Sequence, residues 1–291
     1  MVDLAIPGMP DITTQPVTGG FGEGGGEEGD TLMISLGPGE TDRVRDLIGQ
    51  GQSPTLHLRL DVTKKGGPSG VVLGVLPGTT DENILIEAHS DAFFDGAMDN
   101  GSGMAQLMAL AEYYATIPRA QRRRNLLFVV NSDHHSGSAG LEWVRENMGP
   151  QLDKTVVDFN CEHPAQTQTY MISGGLMTSD MPSARRLNLG SSNGTQMLRD
   201  LIRRSFKEFG VATYSRPDGG DGQGSQYSTA APRIGVIDHT FYHTSMDTVD
   251  FLPARGMEQS TRAYAYIIDQ VNKMTMSQAR LPKAPQVSQA R

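Results

Sequence analysis

One cysteine, Cys161, and one tryptophan, Trp143, stand in a chain of 291 residues. A lone cysteine excludes an intramolecular disulfide framework and any zinc site built from cysteines alone, so a metal held here needs His and carboxylate ligands. Long apolar runs are missing as well: none approaches the roughly 20 residues that span a bilayer, and the reading is of a soluble chain with no membrane partner. Positive charge is also scarce. Lys and Arg number 25 against 33 Asp and Glu, for a formal net charge of -8 and a pI of about 5.4. That balance excludes sequence-independent nucleic-acid binding, which depends on clustered cations that displace counterions. The one basic cluster, residues 119–124, precedes a strand and is expected to be a solvated helix end. The opening MVDLAIPGMPDITTQP lacks the basic region and apolar core of a secretory signal. Compartment and oligomeric state stay open.

With 37% hydrophobic and 20% charged residues, the chain is long enough for one large α/β domain or two small ones. Residues 1–31, Pro-rich and then Gly- and Glu-rich, hold too little apolar surface to offset ordering entropy and read as a mobile lead-in. GETDRVRDLI has helical spacing, and TLHLRLDV alternates as a half-buried strand, leaving His57 on the outer face. GVVLGVLPGTTDENILIEA reads as two strands joined at Pro77 and Gly78. Met104, Leu107, Met108, Ala111 and Tyr114 mark a helix, NLLFVV a buried strand, and 137–147 a further helix with Trp143 in its core face. TVVDFN is the next strand. Residues 193–209 form an amphipathic helix capped by Asn193, striped by Met197, Leu198, Leu201, Ile202 and Phe209, and stopped at Gly210. A Gly-rich loop leads to the strand RIGVID, and a last helix runs over 255–274. Alternating strand and helix is the α/β signature.

Four strand ends carry His or carboxylate: His89 with Asp91 and Asp99, His134 with His135, Glu162 with His163, and His239 with His243. Six of the seven histidines lie there, a clustering that scattered surface histidines would not produce and that points to a metal site. Cys161, between strand and candidate ligand, reads as a small buried packing residue.

In order, the blocks HSDAFFDGAMDNGSG, FVVNSDHHSGSAG, DFNCEH and FYHTSMDTVDFL resemble the co-catalytic zinc peptidases of metallopeptidase family 28, over residues 67–274. The resemblance implies an aminopeptidase-like (phosphorylase/hydrolase-like) three-layer sandwich with a central mixed sheet. It divides the chain into a lead-in with a partial insert-like segment over 1–66, a metallohydrolase domain over 67–276 and a disordered tail over 277–291. It also implies one or two zinc ions, the first held by His89, Asp99 and Glu162, the second by the bridging Asp99 with His135 and His243. Asp91 would orient the His89 ring. The implied activity is hydrolysis of a peptide or small amide or ester substrate by water that the metal activates.

Three departures stand out. His134 and His135 occupy the positions of two adjacent glutamates, general base and ligand in the family. Imidazole suits zinc as a ligand and works as a base near neutral pH, so His134 is the candidate base. In the pocket that the resemblance implies, Gln226 stands where a carboxylate would meet a substrate amine, with Tyr227 beside it and Tyr242 next to His243; this weakens an aminopeptidase assignment. The N-terminal helix of a complete domain is not evident over 1–66. A non-catalytic metal-binding relative, and glutaminyl cyclisation at one metal, therefore stand as alternatives. His163 and His239 are expected to be structural or to support the ligands from behind, and Asp247 to brace the loop that carries His243.

Overall fold

The computed structural model describes residues 38–55, 67–135, 137–172, 175–188, 193–215, 227, 231–237 and 240–282. The lead-in over 1–31, the strand expected over 56–62, His57, Gln226 and His239 lie outside them. In chain order the elements are α1 (Pro38–Gly49), β1 (Val71–Leu76), β2 (Asn83–His89), α2 (Gly103–Thr116), β3 (Asn125–Asn131), α3 (Ala139–Leu152), β4 (Thr155–Asn160), β5 (Thr167–Ile172), β6 (Gly175–Pro182), β7 (Arg185–Asn188), α4 (Gln196–Glu208), β8 (Thr213–Tyr214), β9 (Arg233–Ile237), α5 (Ala254–Lys273) and α6 (Met276–Ala279).

Seven strands form one mixed sheet in the order β1-β3-β2-β4-β9-β7-β8, and β5 with β6 makes a separate hairpin. The centre, β3-β2-β4-β9, is parallel throughout, while β1 joins β3 and β7 joins β9 antiparallel. Sheets of this kind are covered on both faces, so their strands are apolar without alternation. In β2, Ile84 and Ile86 point into a core shared with α2, α4 and α5, while Leu85 points to the opposite layer with Leu141, Val144 and Leu152 of α3. Burial of each such side chain stabilises by ~1.5–3 kcal/mol. Helix layers on both faces of a central mixed sheet give the three-layer fold expected of the sequence.

Several local expectations are corrected. Pro77 and Gly78 do connect β1 to β2, yet the two strands do not pair; β3 lies between them. A Cβ at Gly78 would lie 2.4 Å from the Arg124 backbone, which is why glycine occupies this crossing. Arg124 is not solvated but fully buried: it pairs with Glu82 and donates to the carbonyls of Val271 and Met274 at the end of α5, acting as a C-terminal cap. Arg122 is buried too, against the carbonyls of Tyr114 and Ile117. Trp143 is 50% exposed because α3 presents Leu141 and Val144 to the sheet and turns Trp143 outward. Met108 and Met197, expected in the apolar stripes, are 55% and 52% exposed for the same reason, each lying beside the stripe that packs. Helix α4 is capped by Thr195, whose hydroxyl accepts from the Leu198 amide, rather than by Asn193. Gly210 does adopt the left-handed stop, at φ 74°. A new short helix over Met276–Ala279 reaches into the stretch assigned to the tail and is capped by a capping box of Thr275 and Gln278.

Two contacts join the loops above the parallel strands. The first residue of α2, Gly103, sits against the end of β4, where a Cβ would lie 2.1 Å from the Cys161 carbonyl oxygen. The Asp247 carboxylate accepts from the Met98 amide at 2.7 Å and the Asp99 amide at 3.1 Å, across 148 residues of chain. Asp247 thus braces the Asp99 loop rather than only its own. Asp247→Ala leaves two buried amides without that acceptor, and the cost of such a loss is about 1–3 kcal/mol. Urea unfolding of the variant should show a lowered midpoint; an unchanged midpoint would show that other groups replace the carboxylate.

Candidate metal centre

The parallel strands β2, β3, β4 and β9 all end at one rim of the sheet, where open α/β sheets form their crevices. His89 is the last residue of β2. His134 and His135 follow β3, Glu162 and His163 follow β4, and His243 follows β9. Asp99 lies in the turn over 97–102 that leads into α2, with a cis peptide to Asn100.

The Asp99 carboxylate, 1% exposed, is the hub. Its Oδ1 lies 3.0 Å from His89 Nε2 and 3.2 Å from His163 Nε2. Its Oδ2 lies 3.1 Å from His243 Nε2 and 3.5 Å from His135 Nε2. Of the expected ligands, His89, Asp99, His135 and His243 therefore converge. Glu162 is set slightly back: its Oε2 accepts from Asn160 Nδ2 at 2.7 Å and lies 3.9 Å from an Arg233 guanidinium nitrogen, while its Oε1 lies 3.9 Å from His163 Nε2.

Asp91 works in two directions. His89 Nδ1 meets the Asp91 backbone carbonyl at 3.0 Å and its carboxylate at 3.4 Å, so the ring presents Nε2 to Asp99. The same carboxylate accepts from the amides of His134 and His135 at 3.1 and 2.7 Å, tying the His-His loop to the His89 loop. The His134 ring stacks on His89, centroids 4.4 Å apart. Phe93 packs on both His135 and His243, and Tyr242 stacks on His243 at 3.5 Å.

Tyr227 is buried, packed with Leu85, Leu127 and Val129 in the core on the α3 side of the sheet. Gln226 lies outside the described residues. Sequence reasoning missed Glu87, Arg233 and Phe93. Glu87 Oε1, on β2, lies 2.9 Å from Arg233 Nε on β9 in a buried ion pair. A charge inside the buried run NILIEAH and another opening RIGVI were the available signals.

Ionisation follows this geometry. Burial would raise the Asp99 carboxyl, but contact with His135, His163, His243 and His89 holds it far below the usual range. Burial likewise opposes charge on His89, yet Asp91 and Asp99 push its pKa up to about 10. Burial and then the charge of His89 lower the pKa of His134. Glu162 is held at about 2 against burial by His163, Arg233 and His89, whereas burial raises Glu87 despite Arg233.

The donor set fits a divalent transition metal, for which imidazole and carboxylate are suitable ligands. His89 Nε2, His135 Nε2 and both Asp99 oxygens are buried and, among the described residues, close together without hydrogen-bond geometry, as atoms aimed at a common cation would be. His89, Asp99 and His135 offer ligand atoms within 4.8 Å of one another, as do Asp99, Glu162 and His163.

Comparison with known proteins agrees with this architecture. Rat (Rattus norvegicus) aminopeptidase NAALADL1 is 21% identical over 289 residues, covering 85% of this chain and 38% of the relative, so the chain spans well under half of that protein. BSAP, a zinc aminopeptidase from Bacillus subtilis, shares the fold with a TM-score of 0.53 at 17% identity, covering 72% of this chain and 52% of the other. An Acidobacteriales bacterium glutaminyl cyclase does so with a TM-score of 0.50 at 19% identity, covering 80% and 84%. The family model described as Peptidase family M28 matches residues 71–268, which takes in every converging side chain, and the chain belongs to that family.

Proposed function

We propose that this chain is a metal-dependent hydrolase of peptide or other amide bonds, with zinc as the metal. The observation that carries the reading is the arrangement of imidazoles on Asp99, two at each carboxylate oxygen. In this reading His89, Asp99 and Glu162 hold one ion, and Asp99, His135 and His243 hold the other. Bound zinc supplies Lewis acidity, polarising a carbonyl and lowering the pKa of water.

The chain's own residues supply the rest. His134, with its pKa lowered, is a neutral imidazole at neutral pH and is able to accept a proton from water as general base. Asp91 fixes the His134 and His135 amides and the His89 ring, keeping base and ligands in register. Phe93 packs on the rings of His135 and His243, and Tyr242 stacks on His243, which fixes the orientation of both imidazoles. Two neutral imidazoles in place of two glutamates make the centre more positive by about two charges. With no carboxylate at Gln226 to hold a free amine, the substrate class favoured is an acylated or anionic amide rather than a free aminoacyl group.

His89→Ala and Asp99→Ala should each lower zinc affinity and hydrolysis of the best amide substrate by at least ~100-fold, the upper range for lesser changes behind a metal ligand. A screen of aminoacyl anilides, N-acyl amino acids and simple esters provides the assay, and full activity in either variant contradicts the assignment. Zinc bound without turnover on every class would instead give the chain a binding role. A pH dependence follows from His89. With its metal-free pKa near 10, the ring is protonated across pH 6–9 and gives up a proton when it binds metal. Apparent zinc affinity should therefore rise with pH, by up to ~tenfold per unit for one displaced proton, and level off near the pKa. Chelator competition at pH 6, 7 and 8 measures it; a flat profile contradicts displacement of the His89 proton.

A further inference from the structure

We propose that His163, a residue outside the ligand set that the family resemblance implies, is itself a metal ligand on the Oδ1 side of Asp99. The proposal rests on the reading of this site as a metal centre. His163 Nε2 approaches the same Asp99 oxygen as His89, at 3.2 Å against 3.0 Å, and so repeats on Oδ1 the arrangement that His135 and His243 make on Oδ2. The imidazole is buried, which leaves it no surface role. Asp99, Glu162 and His163, all buried, present ligand atoms within 4.8 Å of one another.

The backbone holds His163 in place. Its φ is 46°, in the left-handed region, as is that of His243 at 56°. Non-glycine residues persist there when surrounding structure enforces it, and such positions cluster at functional sites. Here Arg185 donates to the His163 carbonyl at 2.7 Å from β7, and Ser260 Oγ donates to the Pro164 carbonyl at 2.6 Å from α5. The segment is thus clamped from two elements with its ring turned toward Asp99. Glu162, by contrast, commits Oε2 to Asn160 and stands near Arg233, leaving Oε1 toward the site.

With His163 included, the Oδ1 side has four protein donors, His89, Asp99, His163 and Glu162, and the Oδ2 side three, Asp99, His135 and His243. Four protein ligands characterise closed, tightly held zinc, whereas three leave a position for water or substrate. The two positions are therefore unequal: the Oδ1 position retains metal and the Oδ2 position is the open one.

The test uses the full chain and zinc. His163→Asn removes the imidazole while tolerating the left-handed backbone. Competition against a chromophoric chelator should show two classes of zinc site in the unaltered protein, and in the variant a loss of at least ~tenfold in the tighter class only, as for weakened metal support. The stabilisation that added zinc gives in thermal unfolding should be smaller in the variant than in the unaltered protein, whereas a purely structural His163 would lower the midpoint equally with and without zinc. Equal zinc affinity in variant and unaltered protein overturns the assignment while leaving the metal centre intact. Absence of zinc binding in the unaltered protein overturns both. If the variant does not fold, anomalous diffraction at the zinc edge of the unaltered protein decides: a zinc in contact with His163 Nε2 supports the assignment, and a zinc held by His89 and Asp99 without His163 overturns it.

Discussion

A single buried carboxylate, Asp99, organises this molecule's working end. Four imidazoles from the ends of four parallel strands reach its two oxygens. None of them is near the others in sequence, so the convergence depends on strand order: β2 at the centre, β3 on one side, β4 and β9 on the other. The apolar layers on both faces of the sheet keep that order fixed, and the Asp247 carboxylate, bridging to the amides of Met98 and Asp99, sets the height of the hub above it.

Beneath the imidazoles lies a second layer of charge. Glu87 and Arg233 pair across the sheet interior, and Glu162 rises from the same group toward the site. Buried ions cost several kcal/mol each to desolvate and are retained where geometry and hydrogen bonds compensate. This layer links Glu162 to the body of the sheet, so a change at Arg233 reaches the centre without touching it. The His-His loop is tied down by Asp91, whose carboxylate accepts from both of its backbone amides.

Much of this was legible in the sequence, for physical reasons. Continuous apolar runs such as NILIEA and NLLFVV have to be buried on both faces, and strand-end histidines then have one place to converge. His89, Asp99, His135 and His243 were accessible on that basis, aided by the ordered blocks of the family. Facing was less accessible. Trp143, Met108 and Met197 lie beside packed stripes, and hydrophobicity does not tell a stripe's flank from its centre. Arg124 looked like surface charge because its partners, Glu82 and the end of α5, are distant in sequence. The burial of Tyr227 depends on Leu85, Leu127 and Val129, which are distant from it in sequence. The role of His163 depends on a left-handed backbone and the clamp from Arg185, neither of which spacing reveals.

The claim on which the rest stands is that Asp99 is shared by metal ions rather than buried as an ordinary acid among histidines. Anomalous diffraction at the zinc edge, from crystals of the full chain grown with zinc and without chelator, tests it most directly. The account predicts two anomalous peaks, one beside each carboxylate oxygen of Asp99. Peaks confined to surface sites, with the Asp99 oxygens contacted only by imidazoles, would contradict it.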